Sequence, residues 1–342
     1  MSVSKTSLKD LGEFKLIDLL TQDSKLVRKS SIHGVGDDAA VIDTGAYYTL
    51  LTTDMLVEGL HFDLTYCPLK HVGYKAIVAS IADITAMNGV TEQITVAIAI
   101  SSRFTLEALQ ELYHGIYMAC ERYQVDLVGG DTTSSTAGLV ISVTAVGKVS
   151  KDKLCLRKGA KPYDLVCVTG DLGAAYVGLQ VLNREKKLFE VDPDMQPKLA
   201  PYKYLIERQL KPEARTDIVE LFDKIGVLPT SMMDISDGLA SELLHLSKAS
   251  KVGFTIYENK LPIHQQTHET TEALHLSSTL CAIHGGEDYE LLFTVPQADL
   301  PKIESNSNIH LIGYVTELSE GLKLVTTNNE AITITAQGWE PL

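Results

Sequence analysis

Residues 71–90, "HVGYKAIVASIADITAMNGV", repeat apolar side chains at Tyr74, Ile77, Ile81 and Ile84. That spacing predicts a helix with one core-facing stripe, stopped by Asn88-Gly89. Asp83 falls in the middle of it, between Ala82 and Ile84, and no Lys or Arg lies one turn away. A carboxylate buried without a cation partner either shifts its pKa or holds a metal ion. A capped or salt-bridged aspartate is the ordinary alternative. Whatever the chain folds into must place something opposite Asp83.

The rest of the first half alternates strand-like and helix-like segments. "YYTLLTTD" (47–54) reads as a strand ending at Asp54, and "EQITVAIAIS" as another. "TLEALQELYHGIYMACERYQ" reads as a helix capped by Thr105, with Leu106, Leu109, Leu112 and Ile116 on one stripe. "VDLVGGDTTSS" is expected to be a short strand running into a glycine turn. Charge, Gly and Pro rise together across 147–164, where a domain boundary is expected. Beyond it, "DLVCVTGDLGAAYVGLQVL" reads as strand, turn and helix. "SMMDISDGLASELLHLSKAS" is strand into helix, with Ser236 and Asp237 at the helix start, and "GGEDYELLFTVP" is turn into strand. The pattern predicts an α/β (α+β type) chain of two domains, 1–149 and 150–342, without strict β-α-β-α alternation. Asp38, Asp54, Asp131 and Asp234 are each expected at the C-terminal edge of an apolar element, where sheets gather ligand-binding loops.

Composition removes several classes of function. The 342 residues carry a formal charge of −14, which excludes the basic stripe of a nucleic-acid-binding surface. Five scattered cysteines without a C-x-x-C pair predict reduced thiols in a cytoplasmic protein. The first twenty residues carry charges among their apolar ones and read as an amphipathic helix, not a secretory signal. No apolar run approaches the ~18 residues that span a bilayer. There is no G-x-x-x-x-G-K-[ST]. "GVGDDA" matches the dinucleotide fingerprint in letters only, because β-like sequence and not a helix follows it. H-E-x-x-H and G-x-S-x-G are absent as well. What remains is a set of Asp, Ser and Thr oxygens without clustered His or Cys, which favours Mg²⁺ over zinc. Mg²⁺ is commonly shared with substrate phosphates, so several such aspartates predict several ions around a polyphosphate. In "HGVGDDAAVI", Asp38 is the candidate ligand and Asp37 the turn or cap residue.

"GVGDDAAVI", "LTTDMLVEGLHF", "ASIADITAMNG", "LVGGDTT", "MDISDGLASELLHL" and "GGEDYELLFTV" occur in this order. Together they resemble the thiamine-monophosphate kinases of the aminoimidazole ribonucleotide synthetase-like superfamily, from "GEFKLI" to the terminal "QGWEPL". The resemblance implies an N-terminal domain that binds metal and ATP and dimerises through its sheet, with a C-terminal α/β domain completing the site. It implies Asp38, Thr52, Thr53, Asp54, Asp83, Asp131, Asp234 and Asp237 as ligands of several Mg²⁺ ions. Gly130, Asp131, Arg157 and Ser236 are implied as nucleotide contacts, and His61, Glu287 and Trp339 as the thiamine-phosphate site. Asp54, Asp131 and Arg157 are the residues expected to matter most for transfer from ATP, the co-substrate, to thiamine monophosphate. His61 also reads as an ordinary half-buried histidine, Arg157 as one of a surface cluster, and Glu287 with Asp288 as a solvated turn. A purine-biosynthesis cyclo-ligase is the enzyme alternative, and a non-catalytic nucleotide- or metal-binding protein the alternative of another class. Selenophosphate synthesis fits less well, since no Cys lies in the N-terminal glycine-rich segment.

Overall fold

The computed structural model describes residues 13–335. Two mixed sheets follow one another along the chain. The first contains β1 (Ser31–His33), β2 (Ala40–Asp43), β3 (Tyr48–Val57), β4 (Val90–Ile100), β5 (Asp126–Ser134) and β6 (Leu139–Val149), in the order β1-β2-β3-β6-β4-β5. Only β4 and β5 pair in parallel within it. After α1 (Glu13–Thr21), the first half contributes α2 (Leu69–Ala86) and α3 (Leu106–Tyr123).

The second sheet contains β7 (Leu165–Thr169), β8 (Ser231–Asp234), β9 (Val252–Tyr257), β10 (Leu291–Val295), β11 (Ile309–Glu317), β12 (Leu322–Val325) and β13 (Ala331–Thr333). Its order is β13-β12-β9-β11-β7-β10-β8. The α-helices of this half are α4 (Ala174–Val191), α5 (Lys203–Leu210), α6 (Thr216–Ile225), α7 (Leu239–Ser250), α8 (Gln265–Ala273), α9 (Ser278–His284) and the single-turn α10 (Leu300–Ile303).

Helix α2 forms where its apolar period requires and ends where Asn88 takes a left-handed φ of 59°. It packs on β3 and β6 on one side and reaches β8 of the second sheet on the other. Two glycines let α3 press against it: a Cβ on Gly73 would meet the Leu112 carbonyl oxygen at 2.1 Å, and one on Gly115 the Lys70 carbonyl oxygen at 1.8 Å. Substituting either would push the helices apart. Thr105 caps α3 by accepting from the Ala108 N–H at 3.3 Å.

Three expectations change. Strand β3 does not end at Asp54 but runs on to Val57, because it is laddered to β6 along its whole length. The glycines of "LVGGDTT" lie inside β5, not in a turn; β5 approaches β4 so closely that a Cβ on Gly130 would meet the Val96 carbonyl oxygen at 1.9 Å. Leu106 is exposed, and the buried stripe of α3 runs through Leu112, Gly115, Ile116 and Ala119 instead. Among the described residues, no helix is long and apolar enough to cross a membrane.

Candidate active site

The alternating pleat of β3 turns Leu50, Thr52, Asp54 and Leu56 toward α2 and leaves Leu51, Thr53 and Met55 on the outer face. Ser80 of α2 donates to Asp54 Oδ2 at 2.6 Å, and Thr52 donates to Asp83 Oδ2 at 2.5 Å. Asp38 comes from the loop before β2 and Asp234 from the end of β8, so both halves of the chain supply carboxylates to one point. Oxygens of Asp38, Asp83 and Asp234 all lie within 4.8 Å of one another.

The nearest cation is Arg157, from the segment between the sheets. Its Nη2 donates to Asp38 Oδ1 at 2.6 Å and its Nε to the same oxygen at 3.2 Å. Its backbone N–H donates to both oxygens of Asp37 at 3.2 Å. Asp37 is thus a backbone tie that seats Arg157, in keeping with a cap residue. One guanidinium does not neutralise this many carboxylates. Burial, then the charges of Asp54, Asp234 and Asp38, pushes Asp83 well above the usual carboxylate range. Burial and Asp38 do the same to Asp234, against the pull of Arg157. Burial also raises Asp38 and Asp54. Asp38 Oδ2 is buried with no hydrogen-bond partner. An orphaned carboxylate oxygen on an aspartate clustered with two others fits a hard divalent cation bound by oxygen, as Mg²⁺ is.

Ser236 and Asp237, two and three residues after Asp234, border a cavity of about 880 Å³. Glu242 of α7 holds them there, accepting from the N–H of Ser236 at 3.0 Å and of Asp237 at 2.7 Å. His61 lines the same cavity, its Nδ1 accepting from the Val57 N–H at 2.9 Å. Glu287 stands opposite. It has a left-handed φ of 59°, its N–H donates to the Ser236 carbonyl at 2.7 Å, and Gln209 Nε2 donates to its Oε2 at 2.6 Å. The turn is not solvated throughout: Asp288 is buried and accepts from the Gly173 N–H at 2.8 Å, at the start of α4.

Not every expected residue converges here. The Thr53 hydroxyl points to the outer face, donating to the Val143 carbonyl at 3.2 Å. Asp131 is aligned through Ala97 and Ser142 with Met55, on the outer face and three strands from β3. At ~4.8 Å per strand that is about 14 Å across the sheet. Trp339 lies outside the described residues. Conversely, sequence reasoning passed over Ser80, Glu242 and Lys75. Lys75 is buried in α2 with its Nζ 2.5 Å from Glu287 Oε1. A lone lysine among apolar helix residues is the same signal that drew attention to Asp83.

Residues 36–149 match the family described as AIR synthase related protein, N-terminal domain. The fold and the carboxylate site at the junction of its two sheets therefore define an AIR synthase-related enzyme. The chain is 34% identical to thiamine-monophosphate kinase of Bacillus subtilis (strain 168) over 96% of its own length and 99% of that protein's. It is 36% identical to thiamine-monophosphate kinase of Aquifex aeolicus (strain VF5), covering 85% and 88% of the two chains. The structure of AaThiL complexed with AMPPCP and TMP superposes with a TM-score of 0.84 at 33% identity, covering 99% of this chain and 100% of that one. The chain belongs to the thiamine-monophosphate kinase family.

Proposed function

We infer that the protein transfers the γ-phosphoryl group of ATP to thiamine monophosphate, giving thiamine diphosphate and ADP. The observation that carries this is the kinship along 96% of the chain, with the motifs other than "LVGGDTT" gathered around one carboxylate cluster and one cavity. The relative solved with AMPPCP and TMP holds the same pair of ligand types that this site would take.

An oxygen of the acceptor phosphate attacks the γ-phosphorus, and the bond from that phosphorus to the β,γ-bridging oxygen breaks as ADP leaves. The acceptor has a second pKa of about 6 and is largely dianionic at neutral pH, so no side chain need remove a proton from it. The obstacle is repulsion between anions, and positioning with charge neutralisation overcomes it. Asp38, Asp83 and Asp234, with Asp54 and Thr52 beside them, would hold Mg²⁺, and Asp237 borders the same space. Bound there, Mg²⁺ would supply positive charge that offsets the repulsion between the phosphates. Arg157 holds Asp38 in place through two hydrogen bonds and presents a guanidinium to the nucleotide. Ser236, fixed by Glu242, lies where the nucleotide meets the cavity, and His61 and Glu287 take the thiamine moiety.

In this reading the protein is a homodimer. Leu51 and Met55 are exposed on the outer face of the first sheet, and β5 is its open edge. A second copy packed on that face would cover both, and we propose that Gly130 and Asp131 of one chain then serve the site of the other. The reading is tested by ADP release from Mg-ATP with a panel of acceptors. Thiamine monophosphate is expected to drive release; formylglycinamidine ribonucleotide driving it instead would replace the kinase with a cyclo-ligase.

A further inference from the structure

We propose that Lys75 is the residue that selects a phosphorylated acceptor over the free alcohol, its ammonium exchanging Glu287 for the acceptor phosphate. This rests on the kinase reading above. Among the described residues that line the cavity, Lys75 is the sole lysine or arginine. Its side chain is only 4% exposed, and its Nζ is held by Glu287 Oε1 at 2.5 Å and the Gln209 carbonyl at 3.4 Å. The other carboxylates of the wall are Asp63, already paired with Lys186 at 2.6 Å, and Asp237, toward the nucleotide side. At ~1.5 Å of rise per residue, Lys75 and Asp83 stand about 12 Å apart along α2. That span accommodates a terminal nucleotide phosphate by the carboxylates and an acceptor phosphate by Lys75.

Thiamine monophosphate carries a cationic thiazolium at one end and a phosphate dianion at the other. It can replace the internal pair with two external ones, Lys75 to phosphate and Glu287 to thiazolium. Free thiamine brings only the cation. It would draw Glu287 away and leave a buried ammonium without a counter-charge, which is strongly unfavourable. The pair therefore acts as a gate that only a ligand of both charges opens without loss.

The test compares wild type, Lys75→Met and Lys75→Arg in steady-state kinetics with thiamine monophosphate, with free thiamine as competitive inhibitor. In Lys75→Met, kcat/KM for the monophosphate is expected to fall about 100-fold or more, while the inhibition constant of free thiamine holds or tightens. Lys75→Arg should keep most of the discrimination. Equal loss of both ligands in Lys75→Met, or discrimination left intact, would overturn the proposal, because Lys75 would then merely prop Glu287. Should Lys75→Met not fold, Lys75→Gln removes the charge while keeping a hydrogen bond to Glu287, and the same ratio decides. A wild-type protein inert toward Mg-ATP and thiamine monophosphate would sink the kinase reading instead, and is measured first.

Discussion

Among the described residues Arg157 is the one cation paired with Asp38, Asp83 or Asp234, and burial raises all three above the ordinary carboxylate pKa of 3.8, so they hold protons that the unfolded chain would release. The sign of the linkage follows: the folded, metal-free protein binds more protons, so its stability declines as pH rises from about 4 through the raised values. Thermal melts in EDTA should show a midpoint that drops between pH 5 and pH 8, and saturating Mg²⁺ should reduce that drop. Equal pH dependence with and without Mg²⁺ would count against the metal site. Asp83→Asn should lower kcat by on the order of 10²-fold or more, as losing a charge-stabilising group does. It should leave the metal-free melting point unchanged or higher; a variant with near-normal turnover would refute its role. Asp83 was legible because a charge in an apolar helix stands out. Lys75 stood out by the same rule and was missed, because its partner Glu287 is more than two hundred residues away in sequence. Thr53 faces away from Thr52 and Asp54, as the strand period of two requires.

At the scale of elements, α2 is the strut that joins the sheets, and the Gly285–Glu290 segment is the wall facing it. Glu287 and Tyr289 both adopt left-handed backbone, at φ 59° and 52°, which costs energy in non-glycine residues. What holds the segment is a buried ionic cluster. Glu290 pairs with Arg208 at 3.0 Å and Arg215 at 2.6 Å, and accepts from Thr169 at 2.6 Å. Removing Glu290 leaves two guanidinium groups without their buried partner. Glu290→Ala should cost about 3–5 kcal/mol in denaturant unfolding. A loss below ~1 kcal/mol would mean that the cluster is not what holds the turn. Sequence patterning found α2, α3 and α7, with Thr105 as the cap of α3, since their periods are long and their stops explicit. It shortened β3 at Asp54 and broke β5 at its glycines, because a carboxylate or a Gly pair reads as a strand end until the neighbouring strand is known. The ion cluster, assembled from distant parts of the chain, has no local signature at all.

For the whole molecule, the proposed homodimer puts two copies at each working site. The register that puts Asp131 on the outer face with Met55 denies it to the carboxylates of its own chain. Mixed dimers of Asp83→Asn with Asp131→Asn should therefore regain roughly half of wild-type turnover, one site in two being intact. Inactive mixed dimers would mean that both residues act within one chain, and a monomer by light scattering at micromolar concentration would contradict the dimer itself. The central claim is direct transfer between two phosphates in a site built for cations, and γ-labelled ATP tests it most directly. Incubated with ATP alone, the protein should stay unlabelled. With thiamine monophosphate added, the label should appear in the terminal phosphate of thiamine diphosphate, and free thiamine in its place should take up little or none. Label retained on the protein, or passed efficiently to free thiamine, would contradict the account.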